Sequence, residues 1–290
     1  MPVAVIDVGS NTVRLLVVER GETLFTVREP IGLGAVVEEN GHIPAAKLDE
    51  AADVVSVFAA AARDAGVDGL EVLITSPGRQ AENGEQLLEL LALAANAPAR
   101  IVSAQEEGRL AFVGALAGGG APARRTVAVV DVGGGSAQVI VGSATRGPTW
   151  VKSLDIGSLR LSTRLLPDDP PGRAAVSAAR EEVERMLDRF DAPEPQAGIA
   201  VGGTARALRR IVGSRLDAKT LEDAAELLAV TPQRELISKF DLPPHRARTL
   251  AAGTVIFAAL QERLGTSLKV SRTGLREGAL IELAARTLAA

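Results

Sequence analysis

The chain is 290 residues long, enough for two domains of ordinary size, and its 47% hydrophobic and 23% charged residues are those of a globular protein. It has no cysteine, which excludes disulfides, thiolate metal sites and cysteine nucleophiles, and its two histidines, His42 and His245, lie in polar or proline-flanked stretches that argue against a histidine zinc site. The net charge of −4 gives no overall attraction for polyanions, and 2% aromatics with no tyrosine leaves no stacking platform, so nucleic acid is not an expected partner.

Any metal must therefore be held by carboxylates and phosphate oxygens, which points to Mg²⁺. No apolar run approaches a membrane span, and the opening MPVAVID has no basic region ahead of an apolar stretch. The expectation is a cytoplasmic protein without a membrane partner.

In chain order, the first signal is an internal repeat. Residues 3–17 (VAVIDVGSNTVRLLV) align without gaps on residues 127–141 (VAVVDVGGGSAQVIV), placing Asp7 on Asp131 and Gly9 on Gly133. Each copy reads as an apolar strand, an Asp-Val-Gly turn and a second apolar strand, a β-hairpin whose glycines open the turn. Two such hairpins imply two lobes of one architecture facing each other. Between them the reading is α/β. Helices are expected at 45–65 and 82–95, strands at 70–75 and 100–103, and a helix from about Gln105. The glycine-rich stretch 118–122 is the best linker, giving domains 1–121 and 122–290. The second domain reads as a strand at 150–154, a proline-rich turn at 167–171 and a long helix over 173–190. A strand at 198–201 then ends in Gly202-Gly203-Thr204, and helices follow from about Asp217. A last amphipathic helix, 277–288, is able to pack back on the first domain.

Two turns carry the chemistry. Successive backbone N–H groups in a Gly/Ser-rich turn form an anion site without cationic side chains. Both Gly9-Ser10-Asn11-Thr12 and Gly133-Gly134-Gly135-Ser136 qualify. Each follows an aspartate at the end of a buried strand, where an unpaired carboxylate is costly. A divalent cation shared by Asp7, Asp131 and phosphate would relieve that cost; the plainer alternative is aspartates capping their own turns. Glu106 and Glu107 open a helix about 100° apart, so at most one faces a cleft, in a position suited to a general base. Arg109 has two readings, a phosphate ligand or the partner of a nearby glutamate.

Together these segments resemble the exopolyphosphatase/guanosine pentaphosphate phosphatase (Ppx/GppA) family of the actin-like ATPase superfamily. The resemblance rests on residues 7–15 (DVGSNTVRL), 75–83 (TSPGRQAEN), 106–110 (EEGRL), 130–136 (VDVGGGS), 153–161 (SLDIGSLRL), the Gly202-Gly203-Thr204 turn and 274–278 (GLREG). It implies two actin-like, ribonuclease H-like domains, each a mixed sheet flanked by helices, with the active site in the cleft between them. It implies Glu107 as the catalytic residue and Asp131 and Asp7 beside Mg²⁺. Gly9, Ser10, Asn11, Thr12, Arg14, Arg79 and Gly133, Gly134, Gly135 and Ser136 would bind phosphate. The implied activity is release of orthophosphate from the end of inorganic polyphosphate. Alternatives are hydrolysis of guanosine pentaphosphate at its 5′ end, or a catalytically weak nucleotide or alarmone sensor; the motifs do not separate them. A homodimer is the expected assembly. The sequence departs from the family where Thr-Glu usually follows the second loop. Ala137-Gln138 stands there, and a neutral amide implies weaker Mg²⁺ binding. The chain is also shorter than long family members, which implies a preference for short chains or a nucleotide.

Overall fold

The computed structural model describes residues 1–119 and 124–289. The expected boundary at 121/122 lies outside these residues. The first half opens with β1 (Pro2–Val8), β2 (Thr12–Glu19) and β3 (Glu22–Pro30), followed by α1 (Leu33–Asn40), α2 (Ala45–Asp64) and β4 (Gly69–Ile74). It continues with α3 (Ser76–Gln80), α4 (Gly84–Ala95), β5 (Ala99–Ile101) and α5 (Ala104–Ala117). The second half repeats the opening with β6 (Val127–Val132), β7 (Ala137–Ser143) and β8 (Gly147–Leu154), then α6 (Ser158–Leu165), α7 (Arg173–Met186) and β9 (Ala197–Val201). After these come α8 (Gly202–Val212), β10 (Arg215–Leu216), α9 (Ala218–Val230), α10 (Gln233–Phe240), α11 (Pro244–Leu264), β11 (Leu268–Val270) and α12 (Leu275–Ala289).

The first sheet runs β3-β2-β1-β4-β5 and the second β8-β7-β6-β9-β11-β10, the same arrangement over their first four strands. In each, the hairpin strands are antiparallel and the next strand is parallel to the first. These are two mixed sheets flanked by helices, the architecture the resemblance implied. Several elements differ from the expectation. β3 (ETLFTVREP) is almost wholly exposed, so no apolar periodicity marks it, and only pairing with β2 makes it a strand. The helix α3 begins Ser-Pro-Gly, residues that read as a breaker, yet proline is tolerated in a first helical turn, where its missing N–H has no partner to lose. Gly202-Gly203-Thr204 forms the first turn of α8 rather than a loop, and α7 ends at Met186, short of Phe190.

The sheets are buried on both faces. In the first, Ile6, Val8 and Leu15 pack with Val55, Leu87 and Leu91 of α2 and α4. Its other face places Val5, Leu16 and Leu73 against Leu110 and Leu280. In the second, Val130 and Val139 meet Leu208, Val255 and Phe257 on one side, and Val129, Ile140 and Ile199 meet Phe112 on the other. The helix α5 thus supplies Leu110 to one core and Phe112 to the other, a wedge between the sheets. The final helix lies along α5 and against the first sheet, backbone to backbone. A Cβ on Gly278 would stand 2.0 Å from the Leu110 carbonyl, and one on Gly114 would stand 1.9 Å from the Gly274 carbonyl.

Gly278→Ala should therefore force the two helices apart and destabilise the protein by roughly 2 kcal/mol or more, read as a lowered midpoint in chemical denaturation. A midpoint equal to that of the parent would show that the helices do not depend on this close approach.

Candidate active site

Both hairpin turns fold alike. The Gly9 amide donates to the Thr12 carbonyl at 3.1 Å and the Gly133 amide to the Ser136 carbonyl at 2.9 Å. The strand end before each turn is also held alike. Thr75 donates its backbone N–H to the Val8 carbonyl at 3.0 Å, and the Thr204 hydroxyl donates to the Val132 carbonyl at 2.7 Å. The two turns face each other and touch: a Cβ on Gly134 would lie 2.8 Å from the Ser10 Cβ and 2.9 Å from the Asn11 side-chain nitrogen.

A cleft of about 110 Å³ opens between them, lined by Asp7, Gly9, Ser10, Asn11, Thr12, Arg14, Glu107, Asp131, Gly133, Gly134, Gly135 and Ser136. Every site residue read from the sequence lines this cleft except Arg79. That guanidinium stands behind Glu107: one nitrogen donates to the Val102 carbonyl at 2.7 Å, and the other lies 2.7 Å from Glu107 Oε2 and 3.4 Å from Ser136 Oγ. The approach to Oε2 is off the hydrogen-bond axis, which leaves that buried oxygen without a directional partner. Arg79 therefore braces the carboxylate and ties it to the second loop.

The first turn of α5 sorts its two glutamates. Ser103 caps the helix by accepting from the Glu106 amide at 3.1 Å. Glu106 turns outward to Arg100, while Glu107 is buried toward the cleft. Arg109 pairs with Glu282 of α12 and lies 3.8 Å from Glu106, so its role is that of an ion-pair partner.

The sequence reading missed three arginines. Arg206 of α8, Arg246 of α11 and Arg276 of α12 also line the cleft, joining Arg14. Arg276 lay inside the quoted 274–278 segment without a role; Arg206 and Arg246 carried no local signal, because distant elements bring them in. The crowding shows in their acidity. Burial, with neighbouring guanidiniums, lowers Arg14 to about 9, lowers Arg246 to about 10, and lowers Arg206 as well. Arg14 and Arg246 stay charged at neutral pH.

The carboxylates are displaced the other way. Burial raises Asp7, pushes Asp131 up to about 6 and Glu107 up to about 7, against the pull of the arginines. Asp7 and Asp131 each feel the other's charge. Beside Asp131, the start of α8 leaves open space that a side chain would fill: Gly202 has φ 85°, and its Cβ would lie 2.2 Å from Asp131 Oδ1. Among the described residues no three acidic or histidine side chains converge on one point. A cation here would use one or two carboxylates with phosphate oxygens and water, the usual manner of Mg²⁺.

Two mixed sheets of one topology, with facing glycine-rich turns and a buried carboxylate between them, define an α/β protein built from two like halves around a cleft. The chain matches the model of the Ppx/GppA phosphatase family over residues 17–287, and it belongs to that family. Exopolyphosphatase 1 of Mycobacterium tuberculosis is 28% identical, across 97% of this chain and 88% of that protein. The crystal structure of the Aquifex aeolicus Ppx/GppA family member is 26% identical and superposes with a TM-score of 0.83, covering 99% of this chain and 98% of that one. An exopolyphosphatase structure from Cytophaga hutchinsonii, 22% identical with a TM-score of 0.85 and 98% coverage of both chains, shares the fold.

The raised pKa of Glu107 has a consequence for stability. Its folded value of about 7 lies above the ordinary 4.5, so the folded protein holds a proton that the unfolded chain releases. Stability is fully present below about pH 4.5 for this group and is lost as pH rises through about 7. The ligand-free melting temperature should fall over that window, and Glu107→Gln should flatten the fall. An unchanged slope in the variant would assign it to other groups.

Proposed function

We propose that the protein is an exopolyphosphatase, hydrolysing the terminal phosphoanhydride bond of inorganic polyphosphate and releasing orthophosphate. One observation carries the reading: the buried Glu107 carboxylate shares a narrow cleft with two facing anion turns and four arginines. Phosphoryl transfer needs little covalent help from a protein. It needs positioning and charge stabilisation. The cleft volume of about 110 Å³ is well below the roughly 300 Å³ at which small-molecule pockets begin. That favours entry of a phosphate terminus and leaves the rest of the substrate outside. The curated relatives named exopolyphosphatase support the same substrate.

The two turns hold the terminal phosphoryl group through backbone N–H groups, with Ser10, Asn11, Thr12 and Ser136 adding side-chain contacts. Arg14, Arg206, Arg246 and Arg276 balance the charge that spreads over its oxygens. Glu107 accepts a hydrogen bond from water and takes its proton as the oxygen attacks phosphorus. The bond to the bridging oxygen breaks, and its electrons leave with the shortened chain. With a folded pKa of about 7, Glu107 is matched to that exchange at neutral pH. Asp7 and Asp131 fit a resident Mg²⁺, which when bound would neutralise phosphate charge and steady the leaving oxygen.

Glu107→Gln should lower kcat on polyphosphate by about 10²- to 10⁴-fold while leaving KM nearly unchanged, in a phosphate-release assay with Mg²⁺. Full turnover in that variant would remove Glu107 as the base. Run in parallel on short-chain polyphosphate, long-chain polyphosphate and guanosine pentaphosphate, the assay decides the substrate. Release from guanosine pentaphosphate alone would replace the present reading.

Gln138 stands directly across from Asp131 in the β6–β7 ladder, fully buried, with its amide nitrogen on Ser136 Oγ at 2.8 Å and its carbonyl oxygen unpartnered. Gln138→Glu should lower the Mg²⁺ concentration that half-saturates activity. An unchanged Mg²⁺ requirement would place the cation away from Asp131.

A further inference from the structure

The two glycine-rich turns are held from behind, and not in the same way. A carbonyl fixed on one side of a planar trans peptide points the next residue's N–H to the other side. On the first turn the Ser10 carbonyl accepts from the Gly34 amide at 2.7 Å, and the Asn11 carbonyl accepts from the Ile31 and Gly32 amides, both at 3.2 Å. All three donors belong to the same half of the chain. On the second turn the Gly133 carbonyl accepts from the Ser158 amide at 2.8 Å, and the Gly134 carbonyl accepts from the Leu159 amide at 2.9 Å. The Gly135 carbonyl, the counterpart of Asn11, has no such backbone partner among the described residues. It is met instead by a side chain from the first half, Gln80 of α3, whose Nε2 donates to it at 3.4 Å.

Gln80 is itself fixed for that contact. Its Oε1 accepts from the Ser76 hydroxyl at 2.7 Å, which sets the donor end of the amide, and its second N–H goes to Asp155 Oδ1 at 3.1 Å. Asp155, ahead of α6, is paired with Arg160, whose Nε in turn pairs with Glu38 of α1. The fit is close: a Cβ on Gly135 would lie 2.2 Å from Ser76 Oγ and 2.7 Å from Gln80 Oε1. The amides of Gly134, Gly135 and Ser136 donate to no other group among the described residues, and all three residues line the cleft. One of these N–H donors, that of Ser136, is thus oriented from the opposite half of the molecule.

Resting on the hydrolase reading above, we propose that Gln80 is a positioning residue for the reaction: by holding the Gly135 carbonyl it turns the Ser136 N–H toward the terminal phosphoryl group. Asp155 keeps Gln80 in that rotamer. The first turn needs no such aid, because Ile31 and Gly32 hold Asn11 from within its own half. The second turn is a complete set of donors only while α3 stands against it, so phosphate binding and the contact between the halves are linked through one amide. Removing the Nε2 donor frees the Gly135–Ser136 peptide to rotate, and a donor aimed at a charged oxygen is lost.

Gln80→Leu keeps most of the side-chain bulk and removes the donor. Tripolyphosphate binding, measured by calorimetry in the Glu107→Gln background where the ligand stays intact, should weaken about tenfold. Asp155→Ala, at an exposed side chain whose loss leaves the fold intact, should weaken it about threefold. Added to Gln80→Leu it should cost nothing further, as for residues that act through one contact. Glu38→Gln loosens the tie between α1 and α6 without touching Gln80, and should leave the affinity within about twofold. In isotope-labelled protein the Ser136 amide proton should move downfield when tripolyphosphate binds, and should stay in place in Gln80→Leu. Full affinity in Gln80→Leu, additive losses with Asp155→Ala, an equal loss in Glu38→Gln, or a Ser136 resonance that ignores the ligand in the parent overturns the inference. Absence of phosphate release by the wild-type protein from any polyphosphate would defeat the hydrolase reading alone, since affinity and resonance are measured without turnover.

Discussion

Charge withdrawn from water at the meeting of two sheets is the constraint on which the rest of this structure depends. Asp7, Asp131 and Glu107 are each costly to bury ionised, and Arg14, Arg206, Arg246 and Arg276 are crowded against one another. Neither set neutralises the other by direct pairing. Only Glu107 has a close cation, Arg79, and that contact is off-axis. A dense anion would relieve the arginines, and a divalent cation would relieve the aspartates. Two large cores pin the elements that bear these charges.

The helix α5 is the member that makes the pinning possible. It lies between the sheets, with Leu110 in one core and Phe112 in the other, so the depth of Glu107 in the cleft is set from both sides at once. On its outer side the Glu106–Arg100–Glu71–Arg286 chain and the Arg109–Glu282 pair tie it to the first sheet and to α12. The final helix in turn brings Arg276 to the cleft. Glu107 and Arg276 are thus carried by neighbouring helices that meet through glycines. The buried pair Glu38–Arg160 links α1 to α6, a second tie between the halves.

The repeat is symmetrical in backbone and unsymmetrical in chemistry. Matching turns, matching threonines on the strand ends and matching strand order give a pseudo-twofold pair of facing turns. The side chains across from the two aspartates break the symmetry: arginine on one lobe, glutamine on the other.

The sequence alone determined the two hairpins, their glycine-rich turns and the place of Glu107 at a helix start, because these are local. An Asp-Val-Gly turn after an apolar strand, or a glutamate one residue past a capped helix start, dictates its own geometry over a few residues. The same local logic failed at β3, whose exposed residues become a strand only by pairing with β2, and at α3 and α8, where proline and glycine concealed helix starts. Tertiary structure decided everything that required distant segments to meet. It turned Arg79 from the cleft wall to the back of Glu107 and gave Arg109 to Glu282. Above all it gathered Arg206, Arg246 and Arg276 from three separate helices around the turns. No spacing in a sequence encodes such a cluster, since its members are neighbours only through the packing of both cores.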